Sequence, residues 1–237
     1  MFSSFSTFQS ILDFHGGSTA PPFSLNNTSG LLRYNMDNNG TNVFDSFPSS
    51  RNGSIVSTSI FSSNIPTNFS SIATLSWTLN NSNGRYILAP SISIANKNIT
   101  TSCWIFCTSS VSGGDIKWWE IDHAEGPMLF QNKNTNNYSY CYLITWSMSQ
   151  NVWNHVVCID NFTNLQKSVY VNGSLVNTIS FASYQSFYIA SATTCNGARV
   201  GAGYSAHRAG IGQITDFRIY NRILTPTEIT SIYNKQS

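Results

Sequence analysis

Charge is what this chain of 237 residues has least of: 12 basic and 10 acidic side chains make up 9% of it, with a formal net charge of +2. Its surface must therefore be built from Ser, Thr, Asn, Gln and Gly. No basic block of the kind that neutralises phosphates is present, so nucleic acid is not an expected partner. No run approaches 18 apolar residues, so no membrane-spanning helix is expected. The N-terminus, MFSSFSTFQSILDFHGG, lacks a basic segment leading into an unbroken apolar core, so no secretory leader is expected either. N-x-S/T sequons such as those at Asn52, Asn98, Asn161 and Asn172 read as a consequence of composition, not as glycosylation sites.

Cysteine is sparse and odd in number: Cys103, Cys107, Cys141, Cys158 and Cys195. Cys103 and Cys107 stand four apart on one strand face, too far along it for an easy bridge. Free, buried thiols follow, as in a protein folded in a reducing compartment. His15, His123, His155 and His207 share no zinc-ligand spacing, and His155 reads as structural. No phosphate-cradling glycine loop or nucleophilic triad order stands out.

What the chain does have is apolar and aromatic residues, 41% and 14%, enough to fill the core of one domain. Residues 1–28 read as an N-terminal arm and linker. Phe5, Phe8, Ile11, Leu12 and Phe14 have near-helical spacing, and GGSTAPPFSLNNTSG (16–30) is linker-like. Such an arm would dock on a partner or fray. Residues 29–237 read as one domain of short strands: RYILAPSISIA, TTSCWIFCTSS, YSYCYLITWSM, NHVVCID, KSVYVNGSLVNTISF and ITDFRIYNR. Asn172-Gly173 predicts a two-residue type I′ hairpin turn. The single helix signal is TPTEITSIYNK, with Thr225 or Thr227 as cap, Pro226 in the first turn and Glu228 near the positive end. Many short strands with turn residues between them predict an all-β sandwich or jelly roll.

One stretch concentrates the scarce acids. IKWWEIDHAEG (116–126) holds three of the ten as E-x-D-x-x-E: Glu120, Asp122 and Glu125. On a flat strand Glu120 and Glu125 face opposite sides, and one bulge residue at His123 or Ala124 would bring all three to one face. A pair of carboxyls so placed is what a retaining glycosidase needs. The bland alternative is an acidic strand edge ended at once by Gly126-Pro127. Adjacent Trp118 and Trp119 must point to opposite faces, one inward and one free to meet a ligand. Tyr138, Tyr140, Tyr142 and Trp146 share even parity. Together with Trp119, the three tyrosines are the candidate sugar-stacking rings, set against core packing as the alternative use. Trp104, Trp153, Phe217 and Ile219 should be core.

The order of these runs resembles a known family. WNHVVCIDNFTNLQKSVYVNGSLVN (153–177) is similar to the W-x-H-v…l-Y-V-n-G pattern of laminin-G-like domains in the concanavalin A-like superfamily. ARVGAG…GIGQITDFRIYNRILTPTEITSIYN looks like their closing strand and terminal helix. LLRYNMDNNGTNVFDSF and ITTSCWIFCTSS are similar to their opening strand and core-Trp strand. The resemblance covers roughly 31–235 and implies an all-β, two-sheet antiparallel jelly-roll sandwich with a short C-terminal helix.

The same superfamily contains laminarinase-like β-glucanases whose catalytic strand reads E-I-D-x-x-E. That implies Glu120 as nucleophile, Asp122 as its tuner and Glu125 as acid/base. The closing motif is that of the binding branch, and the aromatic run expected after Glu125 is missing. Some relatives hold calcium at the rim, for which Asp37, Asn39, Asp45 and Asp216 supply oxygen ligands; Asx-turn duty is the competing role. No cofactor is otherwise expected. The reading that results is a non-catalytic binding or structural module. It would be part of a virion assembled in cytoplasm, bound to other structural proteins through its arm and able to take glycans. The alternatives are a β-glucan hydrolase and an extracellular lectin.

Overall fold

The computed structural model describes residues 30–234 except 39, 57–59, 68, 70–72, 74, 81–84, 93, 95–96, 110–115, 122–126, 132–136, 183–196 and 204–207, and leaves out the side chains of 80, 208 and 209. The arm expected over 1–28 lies outside the described residues, as do Cys195, His123 and Ala124.

Two stacked layers of strands are built around one apolar core. In the first layer the order is β14 (Ser174–Ser180), β13 (Gln166–Val171), β12 (Trp153–Asn161), β7 (Ile99–Cys107) and β17 (Ile211–Tyr220). Beyond β17 the layer divides. β1 (Gly30–Asn38) pairs with its C-terminal half, while β5 (Ser76–Asn80), followed by β4 (Ile60–Ser62), pairs with its N-terminal half.

The second layer runs β2 (Asn42–Asp45), β3 (Gly53–Val56), β6 (Tyr86–Leu88), β15 (Ala198–Val200), β8 (Ile116–Ile121), β9 (Met128–Gln131), β10 (Asn137–Tyr140) and β11 (Ile144–Ser147). β16 (Arg208–Ala209) adds a short parallel pairing to β8. β1 joins the layers, because Tyr34 faces both Phe217 of β17 and Asp45 of β2. Met36, at φ 67, marks the irregular stretch where β1 leaves one partner for the other.

Strand periodicity explains the core. Cys103, Ile105 and Cys107 of β7, Val156 and Cys158 of β12, and Phe217 and Ile219 of β17 turn inward. They meet Trp119, Ile121, Tyr138, Tyr140 and Trp146 from the second layer. Trp119 ties the two, its ring 5.9 Å from Phe217 and 6.2 Å from Tyr140. Each such side chain contributes on the order of 1.5–3 kcal/mol by leaving water.

The adjacent tryptophans do not divide between core and solvent as alternation predicts. The β8–β9 register skips Trp118, since Lys117 faces Phe130 and Trp119 faces Leu129. With that bulge both indoles are buried, Trp118 at 0% and Trp119 at 1% exposure.

The first layer's other face is covered too. Helix α1 (Pro226–Tyr233) lays Ile229 and Ile232 over Val157, Ile159 and Tyr220. Its cap is Thr225, whose side chain accepts from the Glu228 N–H while the Glu228 carboxylate accepts from the Thr225 N–H, a reciprocal capping box. Arg222 anchors the same Glu228 at 2.6 Å. The hairpin between β13 and β14 turns at Asn172 (φ 50) and Gly173 (φ 79), the two positive-φ positions of the expected type I′ turn.

Candidate functional site

Nucleophilic attack by Glu120 would need an accessible carboxylate. The structure instead buries it completely and pairs it with Lys117 Nζ at 2.5 Å, on the face of β8 opposite Trp119. A Cβ at Gly203 would stand 2.9 Å from Glu120 Oε2 and 2.3 Å from Lys117 Cδ, so that glycine packs directly over the pair. Asp122 and Glu125 lie outside the described residues. The expected nucleophile is thus half of a buried ion pair, an environment that neutralises the carboxylate by pairing and denies it to a sugar.

The candidate stacking rings separate in the same way. Trp119, Tyr138 and Tyr140 are at most 1% exposed and pack between the layers, so no face of these three is open to a ligand. Tyr138 stacks on Trp146 at 6.3 Å, and the Tyr140 hydroxyl donates to Asp160 Oδ1 at 2.8 Å. Tyr142 leaves the stripe because the chain turns over 141–143. Cys141 and Tyr142 both take positive φ there, which puts the Tyr142 ring outside against Phe130, their centroids 4.0 Å apart. Parity holds along a strand and lapses at the turn.

Of the four oxygen ligands weighed for calcium, the three described ones do not converge. Asp45 is a turn residue: Oδ1 accepts from the Arg33 and Phe47 N–H groups at 2.8 and 3.0 Å, and Oδ2 from the Arg51 N–H at 2.8 Å. That is the Asx-turn role. Asp216 is fully buried and chelated by Arg218, with Arg33 Nε a further 2.9 Å contact. Burial alone would raise its pKa, but the two guanidiniums outweigh that and hold it at about 2. Asp37 is exposed and Asn39 lies outside the described residues. Among the described residues no group of three or more His, Cys, Asp or Glu side chains could hold a metal ion.

Among the described residues cysteine chemistry finds no purchase either. Cys103, Cys107, Cys141 and Cys158 are unbridged, and burial pushes all four thiols up, away from the reactive thiolate.

A groove of about 780 Å³ does open on the helix-bearing face. Its floor is Trp104 and Phe106 of β7 with Trp153 of β12, and Trp153 faces Phe106 across the ladder at 5.5 Å. One wall is the end of α1, where Tyr233 stacks on Trp104 at 5.8 Å and an interplanar angle of 16°. The turn at Asn151 and Val152 forms another side, and Pro66 and Thr67 close the lining. Asn154 fixes that turn by donating to the Ser149 and Val152 carbonyls at 2.9 and 3.2 Å, and the Asn151 N–H donates to the Cys107 carbonyl at 2.8 Å. Asn151 and Asn234 supply amide side chains, and among the described residues no carboxylate lines the groove. The geometry offers flat rings flanked by amide donors and acceptors, suited to an uncharged ligand with an apolar face and a polar rim.

Sequence parity assigned Trp104 and Trp153 to the core. Trp104 is buried, whereas Trp153 is half-buried on the outer face. Phe106, Asn151, Asn234 and Tyr233 carried no local signal, because strand, turn and helix end meet there only in three dimensions.

Comparison with known proteins agrees with this architecture. A laminin G model, described as the Concanavalin A-like lectin/glucanases superfamily, matches residues 81–230. No curated protein matches the chain. Among solved structures, the receptor-binding domain of a botulinum neurotoxin C/D mosaic serotype aligns with a TM-score of 0.65 at 18% identity, covering 89% of this chain and 52% of that one. The binding domain of Paraclostridial Mosquitocidal Protein 1 gives 0.64 at 13%, covering 88% and 52%. A mutant Trypanosoma rangeli sialidase displaying trans-sialidase activity gives 0.63 at 17%, covering 88% and 33%. This chain spans about half the length of the two toxin domains and a third of the sialidase. At such identities the likeness is one of fold.

Proposed function

Since the chain belongs to the concanavalin A-like lectin/glucanases superfamily, we propose that it acts as a non-catalytic binding module, with the groove at Trp104, Phe106, Trp153 and Tyr233 as a carbohydrate site. The observation that carries this reading is the lining itself: the half-buried rings of Phe106, Trp153 and Tyr233 beside Asn151 and Asn234, with no acid group among the described lining residues. Sugar rings present apolar C–H faces and a rim of hydroxyls, which rings and amides match. The buried Lys117–Glu120 pair supports binding over hydrolysis, because the residue that would attack is already engaged. The toxin domains of similar fold are named for binding, which is consistent with the reading.

The test is a titration of neutral oligosaccharides, laminarin fragments included, followed by tryptophan fluorescence. Binding by the parent and a loss of about tenfold or more in Trp153→Ala are expected, on the order of a removed stacking contact. Equal affinity in parent and variant would remove the groove from consideration, and glucose release by the parent would reinstate the hydrolase. The working location we infer from the sequence is a virus particle, and peptides of this chain in purified particles are the check.

A further inference from the structure

Two walls of the groove, the Asn151–Val152 turn and the end of α1, are far apart in sequence, and the Asn172-Gly173 turn, which does not itself line the groove, touches both. Asn172 is clamped onto β12. Its N–H donates to the His155 carbonyl at 2.8 Å, and its Oδ1 accepts from the His155 N–H at 2.9 Å. The second of these bonds fixes the orientation of the amide, so Nδ2 is the atom turned toward Asn154 Oδ1, at 3.2 Å.

Asn154, only 4% exposed, then has its own Nδ2 left for the Ser149 and Val152 carbonyls, the two that bracket Asn151. Asn151 lines the groove at φ 57, a left-handed conformation held from both sides by this one amide. Toward the other wall the contact is steric. A Cβ at Gly173 would stand 3.2 Å from Tyr233 Cδ1, so the turn packs against the ring that stacks on Trp104.

We propose, on the reading that this groove is the binding site, that the Asn172-Gly173 turn is a brace setting the separation of these two walls, with Asn172 and Asn154 as positioning residues for Asn151. The relay has a single satisfied sense. An ionised carboxylate at 172 would keep the His155 N–H but set an oxygen against Asn154 Oδ1. Flipping Asn154 would only move that conflict to the Ser149 and Val152 carbonyls. Amide to acid at a residue outside the lining therefore releases the wall.

Asn172→Asp is the test, because aspartate tolerates the left-handed turn. The Asn151 N–H, bonded to the Cys107 carbonyl, reports the wall directly. Well below the melting transition its hydrogen exchange should quicken about tenfold or more, and neutral oligosaccharides should bind at least about fivefold more weakly. Asn177→Asp makes the same change on β14 of the same hairpin, keeps the acceptor used by the Thr178 N–H, and should alter neither readout. In an Asn154→Ala background, Asn172→Asp should add little to either. Unchanged exchange at Asn151 overturns the brace, as does additivity of the two substitutions. So does faster exchange with undiminished affinity in a protein whose parent binds the sugars. Faster exchange where the parent binds no sugar supports the brace and removes the carbohydrate reading instead.

Discussion

The imidazole of His155 has no exposed surface, shares a 2.8 Å hydrogen bond with Ser102 and lies 5.1 Å from the Trp104 ring. Burial, and then the charge of Arg218, lower its pKa from 6.5 to about 3. Between those values the unfolded chain binds a proton that the native protein refuses, so stability is full above about pH 6.5 and falls as the pH drops toward 3. Asp216 acts in a lower window. Its pKa is depressed from 3.8 to about 2, so its contribution is complete above 3.8 and lost as pH falls through 2. Thermal melts against pH should accordingly show a decline that begins near neutrality, and His155→Gln should flatten it above pH 4 without altering the steeper loss below. An unchanged slope in the variant would assign the decline to another group. Asp216→Asn leaves Arg218 and Arg33 facing a neutral amide in a buried site, and chemical denaturation should register a loss of about 3–5 kcal/mol.

At the scale of elements, the turn and the helix cap are where local chemistry decides. Gly173 sits at φ 79 with a would-be Cβ only 3.2 Å from Tyr233. Gly173→Ala should cost roughly 1–2 kcal/mol from backbone strain and disturb Tyr233, hence the groove, as a paired drop in melting temperature and oligosaccharide affinity. Thr225→Ala removes one half of the capping box and should cost about 1 kcal/mol, measurable by urea denaturation.

These same elements were legible in the sequence. Asn172-Gly173 admits few other conformations, and Thr225-Pro226 followed by Glu228 is a local helix start. The alternating apolar strands and the closing DFRIYNR run gave the sandwich. The Trp118 bulge was not legible, because a skipped residue depends on the partner strand β9 and leaves no mark in β8 itself. Nor was the groove, whose rings come from β7, β12 and α1 and look like core residues when read one strand at a time. Glu120 shows the reverse error: the E-x-D-x-x-E spacing suggested chemistry, whereas the bulge sets Glu120 beside Lys117 on one buried face.

For the whole molecule, cohesion rests on packing without covalent cross-links among the described residues. The four described cysteines are free, so a reductant should leave the melting curve where it was, and a shift of several degrees would mean that one of them is bridged in solution. Polar ties supplement the apolar core instead. Lys167 Nζ and the Tyr140 hydroxyl both donate to Asp160 Oδ1, at 2.6 and 2.8 Å, linking the two layers at a site with almost no exposure.

Four of the five ion pairs among the described residues lie inside the protein. Charges turned inward leave little electric field outside, and a molecule of net charge +2 then drifts toward its targets unguided. Encounter should proceed at the unassisted pace of about 10⁵–10⁶ M⁻¹s⁻¹ and hardly notice added salt, which makes this a protein that finds by collision and keeps by fit.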